Sequence, residues 1–446
     1  MIALIDIITF FISTYWLLTK AKYIGKNSRF LIFALVYIFY VFPMGLDWLY
    51  EMADYSYTSD RVGFILPRQD LLTNIIYDFG VLFVEFVILN GKIRKNDSLC
   101  GRNIEDHNKT LYQILMIAGM VLPAFATLYL IKEPAMLYLM QWRELKLFST
   151  EGTYATVERF SYLGISCSVF ILFDKKKRNL IITALYKIVA IAFIYMNICI
   201  QGKRAIIFYG IINIMVMMYL RLYDMIKANK SIRKYVLITA IVLLTASWFM
   251  ISFTSTVKSE RGYEAGSSVM YTTTRIDFLR DDRVRMAIYH SIYPNTINIV
   301  DYPCQTILGD VWSFIPLNYI AAKAGFNIIS YQTRFTHALL KIDAKGKYDV
   351  EDASFMTVTF FAELISNLGV LFGFVFISLF CLWMIRMIDR HPYPYNAFII
   401  CCFILLNLFD FSYISVTIEF TIIICWLFWA KNKKRVNESI NCRTTT

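Results

Sequence analysis

IALIDIITFFISTYWLLT (residues 2–19), KAKYIGKNSR (20–29) and FLIFALVYIFYVFPMGLDWLY (30–50) read as two apolar runs about a short basic joint. A helix needs about 20 mostly apolar residues to cross a bilayer. Each run meets that length, and a helix satisfies its own backbone where no water can. The joint holds Lys20, Lys22, Lys26 and Arg29 and no carboxylate. Lys and Arg in short loops mark the cytoplasmic side, so the joint is expected inside and the N-terminus outside. The first run is too long for the apolar core of a cleaved leader and has no basic flank, so it is expected to remain as an anchor.

The pattern repeats outward from this hairpin. Further apolar stretches at 71–90, 111–131, 157–173, 179–200, 205–222, 235–253, 356–385, 395–409 and 412–430 bring the expected spans to eleven. Strict alternation then predicts which loops are basic. Lys92, Arg94 and Lys95 follow the third span, KKKR (175–178) the fifth, Lys227, Lys230, Arg233 and Lys234 the seventh, and KNKKR (431–435) the last. The net charge of +12 is therefore a bias of topology. No nucleic-acid-binding motif accompanies it, and no nucleic acid is expected as a partner.

Composition agrees. The chain is 58% hydrophobic and 17% charged, against about 45–50% and about 25% in soluble domains. That excludes a soluble enzyme, a disordered chain and a disulfide scaffold. Of the nine cysteines only Cys304 is expected outside, so no outside disulfide is expected within one chain. No CxxC or HExxH pattern occurs, and neither a metal nor a cofactor is expected. The reading is an all-α polytopic integral membrane protein. Spans one to eight lie in 1–253, a large outside loop in 254–354, spans nine to eleven in 355–435, and a cytoplasmic tail in 436–446.

The outside loop is where chemistry is expected. Connections of this length are usually functional or disordered, and its Tyr, Ile, Phe and Trp content argues for a folded cap on the outer face. VWSFIPLNYIAA (311–322) is too short to span and reads as an interfacial helix. TTTRIDFLRDDRVRMAIYH (272–290) reads as a helix with Thr274 as N-cap and Asp277 in its first turn. Arg275, Arg280 and Arg283 then project from one side, where planar guanidinium groups suit phosphate. The competing reading is internal pairing, Asp281 with Arg285 and Asp277 with Arg280.

Other candidates lie elsewhere. Lys203 and Arg204 in QGKR (201–204) fall outside, at a helix N-terminus that favours anions. Arg143 beside Trp142 is either a ligand anchor or an interfacial one. Glu363 and Glu419 lie in the outer thirds of their spans, within reach of an outer cavity. In-membrane carboxylates are costly and usually functional. Glu85 and Lys187 lie at similar depth near the inner face and read as a structural pair. His290 and His337 have a suitable pKa for proton transfer.

Together these features resemble the Wzy family of O-antigen and capsule repeat-unit polymerases. The resemblance rests on Gly202-Lys203-Arg204 opening a middle helix, on Arg275-Ile276-Asp277 in the late loop, and on Glu363 before NLG (367–369). It implies a metal-independent glycosyltransferase of the bacterial inner membrane, with a periplasmic N-terminus and a cytoplasmic C-terminus. Its substrates would be undecaprenyl-pyrophosphate-linked oligosaccharides, and its partners membrane lipid, a chain-length regulator and a flippase. Pyrophosphate would sit on Lys203, Arg204, Arg275, Arg280, Arg283 and Arg143, with Glu363, His290 or His337 as base. The alternatives are a lipid-linked oligosaccharide flippase and an O-antigen ligase. The ligases carry a His-Asn-type motif in the long loop. Here Ser291 follows His290 and Ala338 follows His337, which favours the polymerase.

Overall fold

A computed structural model of the chain describes residues 2–20, 27–49, 62–91, 109–130, 151–173, 180–201, 204–227, 280–312, 317, 320, 323–324, 331–343, 358–391, 395–409 and 415–427. Every regular element among them is a helix. In chain order these begin with α1 (Ile2–Thr19), α2 (Asn27–Val36), a π turn (Tyr37–Val41), α3 (Phe42–Leu49), α4 (Val62–Gln69) and α5 (Leu71–Asn90). Then come α6 (Lys109–Leu130), α7 (Glu151–Phe173), α8 (Leu180–Gln201) and α9 (Arg204–Lys227). The late loop contributes α10 (Asp281–Ile292), α11 (Gln305–Val311) and α12 (Tyr331–Asp343). The chain closes with α13 (Phe360–Leu368), α14 (Val370–Arg390), α15 (Tyr395–Leu408) and α16 (Ser415–Leu427).

Among the described residues, Ser28–Leu49, Leu71–Asn90 and Val370–Arg390 are long and apolar enough to cross a membrane. Shorter apolar helices coincide with seven more of the expected stretches. The expected span at 235–253 lies outside the described residues. The stretch expected as one span at 356–385 is broken. Thr359 caps α13 by accepting the Phe361 N–H at 3.2 Å, and α13 ends at Gly369, whose φ is +77°. A side chain there would be strained, and the helix restarts at Val370. Gly373 lets α14 close on α13, because an added Cβ would lie 2.8 Å from the Ile365 Cα.

The chain divides into two compact units. The first gathers Met1–Arg94, Lys203–Arg386 and Phe403–Tyr413. Its opening helices run up and down. Arg29, at the start of α2, donates to the Leu89 and Gly91 carbonyls past the end of α5, at 2.9 and 2.8 Å. It thereby satisfies acceptors that a helix C-terminus leaves open. At the other end Arg68, just before α5, pairs with Asp47 of α3 at 3.0 Å. Asp70 caps α5, accepting the Thr73 N–H at 2.8 Å.

The π turn has a cause in the sequence. Pro43 has no N–H to give the Phe39 carbonyl one turn back. The Phe42 N–H reaches Tyr37 O instead, and Phe39 O is left to accept the Arg280 N–H at 3.3 Å. The start of α10 is thereby anchored inside the bundle. Val284 lines a small apolar cavity with Val36, Tyr40, Val81, Val84, Phe361, Phe374 and Ile377. α10 is thus inserted among the other helices, where a cap over their ends was expected. The helix also starts later than expected, at Asp281, with Arg280 in a non-helical conformation before it. Thr274 and Asp277 lie outside the described residues, as does most of 311–322.

The second unit gathers Lys95–Gly202, Met387–Cys402 and Ile414–Thr446. Here α6, α7 and α8 pack on one another. Small residues permit close approach: an added Cβ at Gly119 would meet the Cys167 Sγ at 2.5 Å. Phe398 packs on Phe170 and Phe420, with centroids 4.3 and 5.4 Å away.

Candidate functional site

The charged residues of the first unit converge where α10 meets α4, α5 and the π turn. Arg68 is fully buried, and its three nitrogens face three carboxylates. Nη1 lies 3.0 Å from Asp47, Nη2 2.7 Å from Asp281 and Nε 2.6 Å from Asp282. Asn74 steadies the α4–α5 corner by donating to the Pro67, Arg68 and Asp70 carbonyls. The acidic pair also suits the first turn of α10, where the helix dipole favours negative charge.

Arg285 forms the second node. It donates to Asp6 at 3.1 Å and to Asn74 Oδ1, and lies 3.8 Å from Asp281. Its guanidinium carbon stands 4.1 Å from the centre of the Tyr77 ring, a cation–π contact. Tyr77 in turn donates to Tyr40 O at 2.7 Å. The pair expected between Asp281 and Arg285 is therefore present, as one edge of a buried network reaching α1, α3, α4 and α5. Such groups leave water at a cost of several kcal/mol per ion, and removing one partner strands the others.

The arginines chosen for phosphate lie in the same place. Arg280 and Arg283 are buried, and Arg280 Nε lies 3.4 Å from Leu408 O. Only Arg283 of the two is within the helix, with Arg280 just before its first residue. Arg204 opens α9 as expected, and its side chain lies outside the described set. Lys203, Arg275 and Arg143 lie outside the described residues.

The base candidates separate. Glu363 is fully buried on α13 and does not line an open cavity. Its Oε1 accepts from Thr306 Oγ at 2.9 Å. Asn367 holds Thr306 in place, donating to its hydroxyl at 2.7 Å and accepting its N–H at 3.2 Å. The start of α11 is thus fastened to the helix that carries Glu363. His290 is buried near the end of α10, its Nδ1 2.8 Å from Ile297 O. Burial lowers its pKa below the ordinary value, against the pull of that carbonyl and Asp301. It is therefore neutral at pH 7. His337 is exposed on α12, and desolvation with the nearby Arg334 lowers it too. Arg334 pairs with Asp301 at 3.0 Å.

Three further outcomes concern acids and missed residues. Glu85 accepts from Ser13 Oγ at 2.6 Å, and Lys187, expected as its partner, belongs to the second unit. Glu419 lies on α16 in the second unit. Sequence reasoning passed over Arg68, Asp6, Asp47 and Asn74. Their one signal was polarity at the ends of apolar runs, which many interfacial residues share.

Comparison with protein-family models, with curated proteins and with solved structures gave no match.

Proposed function

We propose that the chain is a bacterial surface-polysaccharide polymerase, of the O-antigen or capsule type, acting at the periplasmic face of the inner membrane. The observation that carries this reading is the packing of α10, which bears Arg283 and His290 and is preceded by Arg280, against α13, which bears Glu363. Cations suited to a diphosphate and a carboxylate suited to a hydroxyl proton are then carried by helices that pack on one another, in surroundings where each charge counts for more than in water.

In the proposed reaction the acceptor sugar's hydroxyl oxygen attacks the anomeric carbon of the donor glycan. The bond from that carbon to the phosphate oxygen breaks, and undecaprenyl pyrophosphate leaves with the electron pair. The hydroxyl proton passes to Glu363. Arg204 and Lys203, with Arg280 and Arg283, neutralise the charge growing on pyrophosphate, at about 3–4 kcal/mol for a well-placed donor. Because Arg280 and Arg283 are covered, admission of the diphosphate requires the segments over α10 to part. No nucleotide sugar is needed, since the carrier supplies the leaving group.

The test is complementation of the deletion strain of the host. The intact chain should restore a ladder of polysaccharide lengths on a gel. Arg204→Ala and Glu363→Gln should each reduce it to a single repeat unit while the protein remains in the membrane. A full ladder from both variants would refute the assignment.

A further inference from the structure

The short helix α11 hides its hydroxyl and shows its apolar side chains. Thr306 is 0% exposed, whereas Leu308 is 57% exposed, and Val311 and Trp312 are exposed as well. Leu308, Val311 and Trp312 follow a three- and four-residue spacing that keeps them on one helix face. Thr306, two residues before Leu308, lies on the opposite face, where its hydroxyl meets Glu363 Oε1 at 2.9 Å. A helix bathed in water has the reverse arrangement, apolar face in and polar face out. An exposed apolar face rimmed by polar groups marks a binding surface for something apolar.

The attachments of α11 fix its depth. The Cys304 N–H donates to Asn367 O at 3.4 Å, and the Thr306 N–H to Asn367 Oδ1 at 3.2 Å. Asn367 stands two residues before Gly369, where α13 gives way to α14. Since α14 is long and apolar enough to cross a membrane, its first residues mark the level at which a span enters the bilayer. Its exposed side chains begin there with Leu371 and Phe372 and continue with Phe376, an apolar surface suited to lipid. The exposed face of α11 is held at the same level. The turn before it is polar: exposed Asp301 accepts from Asn298 Nδ2 at 3.1 Å and pairs with Arg334 at 3.0 Å. Tyr302 follows, 57% exposed. A polar turn, then Tyr302 and Trp312, then an apolar face is the order met between water and lipid, where Tyr and Trp gather at headgroup depth.

We propose that α11 is an interfacial helix, with Leu308, Val311 and Trp312 set into the bilayer and the Asn298–Asp301 turn at headgroup level. The occupant of its exposed face is the lipid itself. This stands whether or not the chain makes polysaccharide. It also places lipid one helix away from Glu363, because Thr306 and Leu308 occupy opposite sides of α11.

Photocrosslinking of the full chain in phosphatidylethanolamine–phosphatidylglycerol nanodiscs tests this. Leu308→p-benzoylphenylalanine should yield a phospholipid adduct by mass spectrometry, in an amount similar to that from Phe372→p-benzoylphenylalanine on the lipid-facing side of α14. Loss of the lipid adduct at 308, with or without attachment to another part of the protein, overturns the proposal. If the Leu308 variant does not fold, quenching by phospholipids brominated in their acyl chains decides. Trp312→Phe should lower the quenchable share of tryptophan fluorescence, and an unchanged share overturns the proposal.

Discussion

The two units differ in the long-range polar bonds that the first adds to the local ones both possess. In the second, hydroxyls return to carbonyls one turn back on their own helix. Ser166 donates to Tyr162 O at 3.1 Å, Ser168 to Gly164 O at 2.8 Å and Thr421 to Thr417 O at 2.7 Å. In the first, Arg68 reaches carboxylates 213 and 214 residues away in the chain. The local arrangement forms with the helix and asks nothing of the tertiary structure. The long-range one exists only when α3, α4 and α10 have met. Buried charge is therefore a marker of where this chain commits to one arrangement, and hydroxyls bonded within their own helix mark where it merely packs.

Breaking the ion network should produce the largest effect on stability. Arg68→Ala leaves three carboxylates facing one another, and should cost about 3–5 kcal/mol, read as a fall in thermal unfolding midpoint in detergent. A midpoint unchanged from wild type would remove the contrast between the units. Gly369→Ala comes next. Extended backbone with positive φ costs a residue with a side chain about 1–3 kcal/mol, so the variant should unfold earlier than wild type but later than Arg68→Ala. Equal midpoints for these two would mean that the helix break matters as much as the charges.

Acid titration sharpens the comparison from another side. The His290 pKa is lowered by burial, so below about pH 6.5 the unfolded chain takes up a proton that the native form refuses. Stability contributed by the neutral ring is intact above that pH and declines as pH falls, by at most about 1.4 kcal/mol per pH unit for one proton. Unfolding midpoints measured from pH 7.5 to 5.5 should fall less steeply in His290→Gln. Parallel slopes would contradict the burial argument. The smallest effect should come from the second unit. Ser166→Ala removes donor and demand together and should change stability by no more than about 0.5 kcal/mol. A loss as large as that of Arg68→Ala would erase the distinction.

Much of the helical outline was legible in advance, and particular residues say why. The stretches at 2–19 and 71–90 match α1 and α5 end to end, because unbroken apolar length and its polar punctuation are local properties. The broken stretch at 356–385 was misread for an equally local reason. NLG was visible at 367–369, but the sign of φ at Gly369 follows from how α14 folds back on α13, not from composition. The candidate site divides the same way. Glu363, Arg280 and Arg283 stood out as charges amid apolar sequence, whereas Arg68 resembled any interfacial cation until Asp47, Asp281 and Asp282 were seen around it. Thr306 gave no signal at all, since a lone threonine at the start of a short helix carries no pattern.

What the amino-acid order determined alone was the helical stretches, their apolar character and the uneven placement of cations between them. Those follow from the transfer cost of each side chain, which is summed over neighbours along the chain. Only the tertiary structure decided which acid met which arginine, that α10 enters the bundle, and that the carbonyl freed by Pro43 receives the Arg280 N–H. Coulomb attraction and hydrogen bonding depend on distance in space and on exclusion of water, and both are created by packing segments hundreds of residues apart.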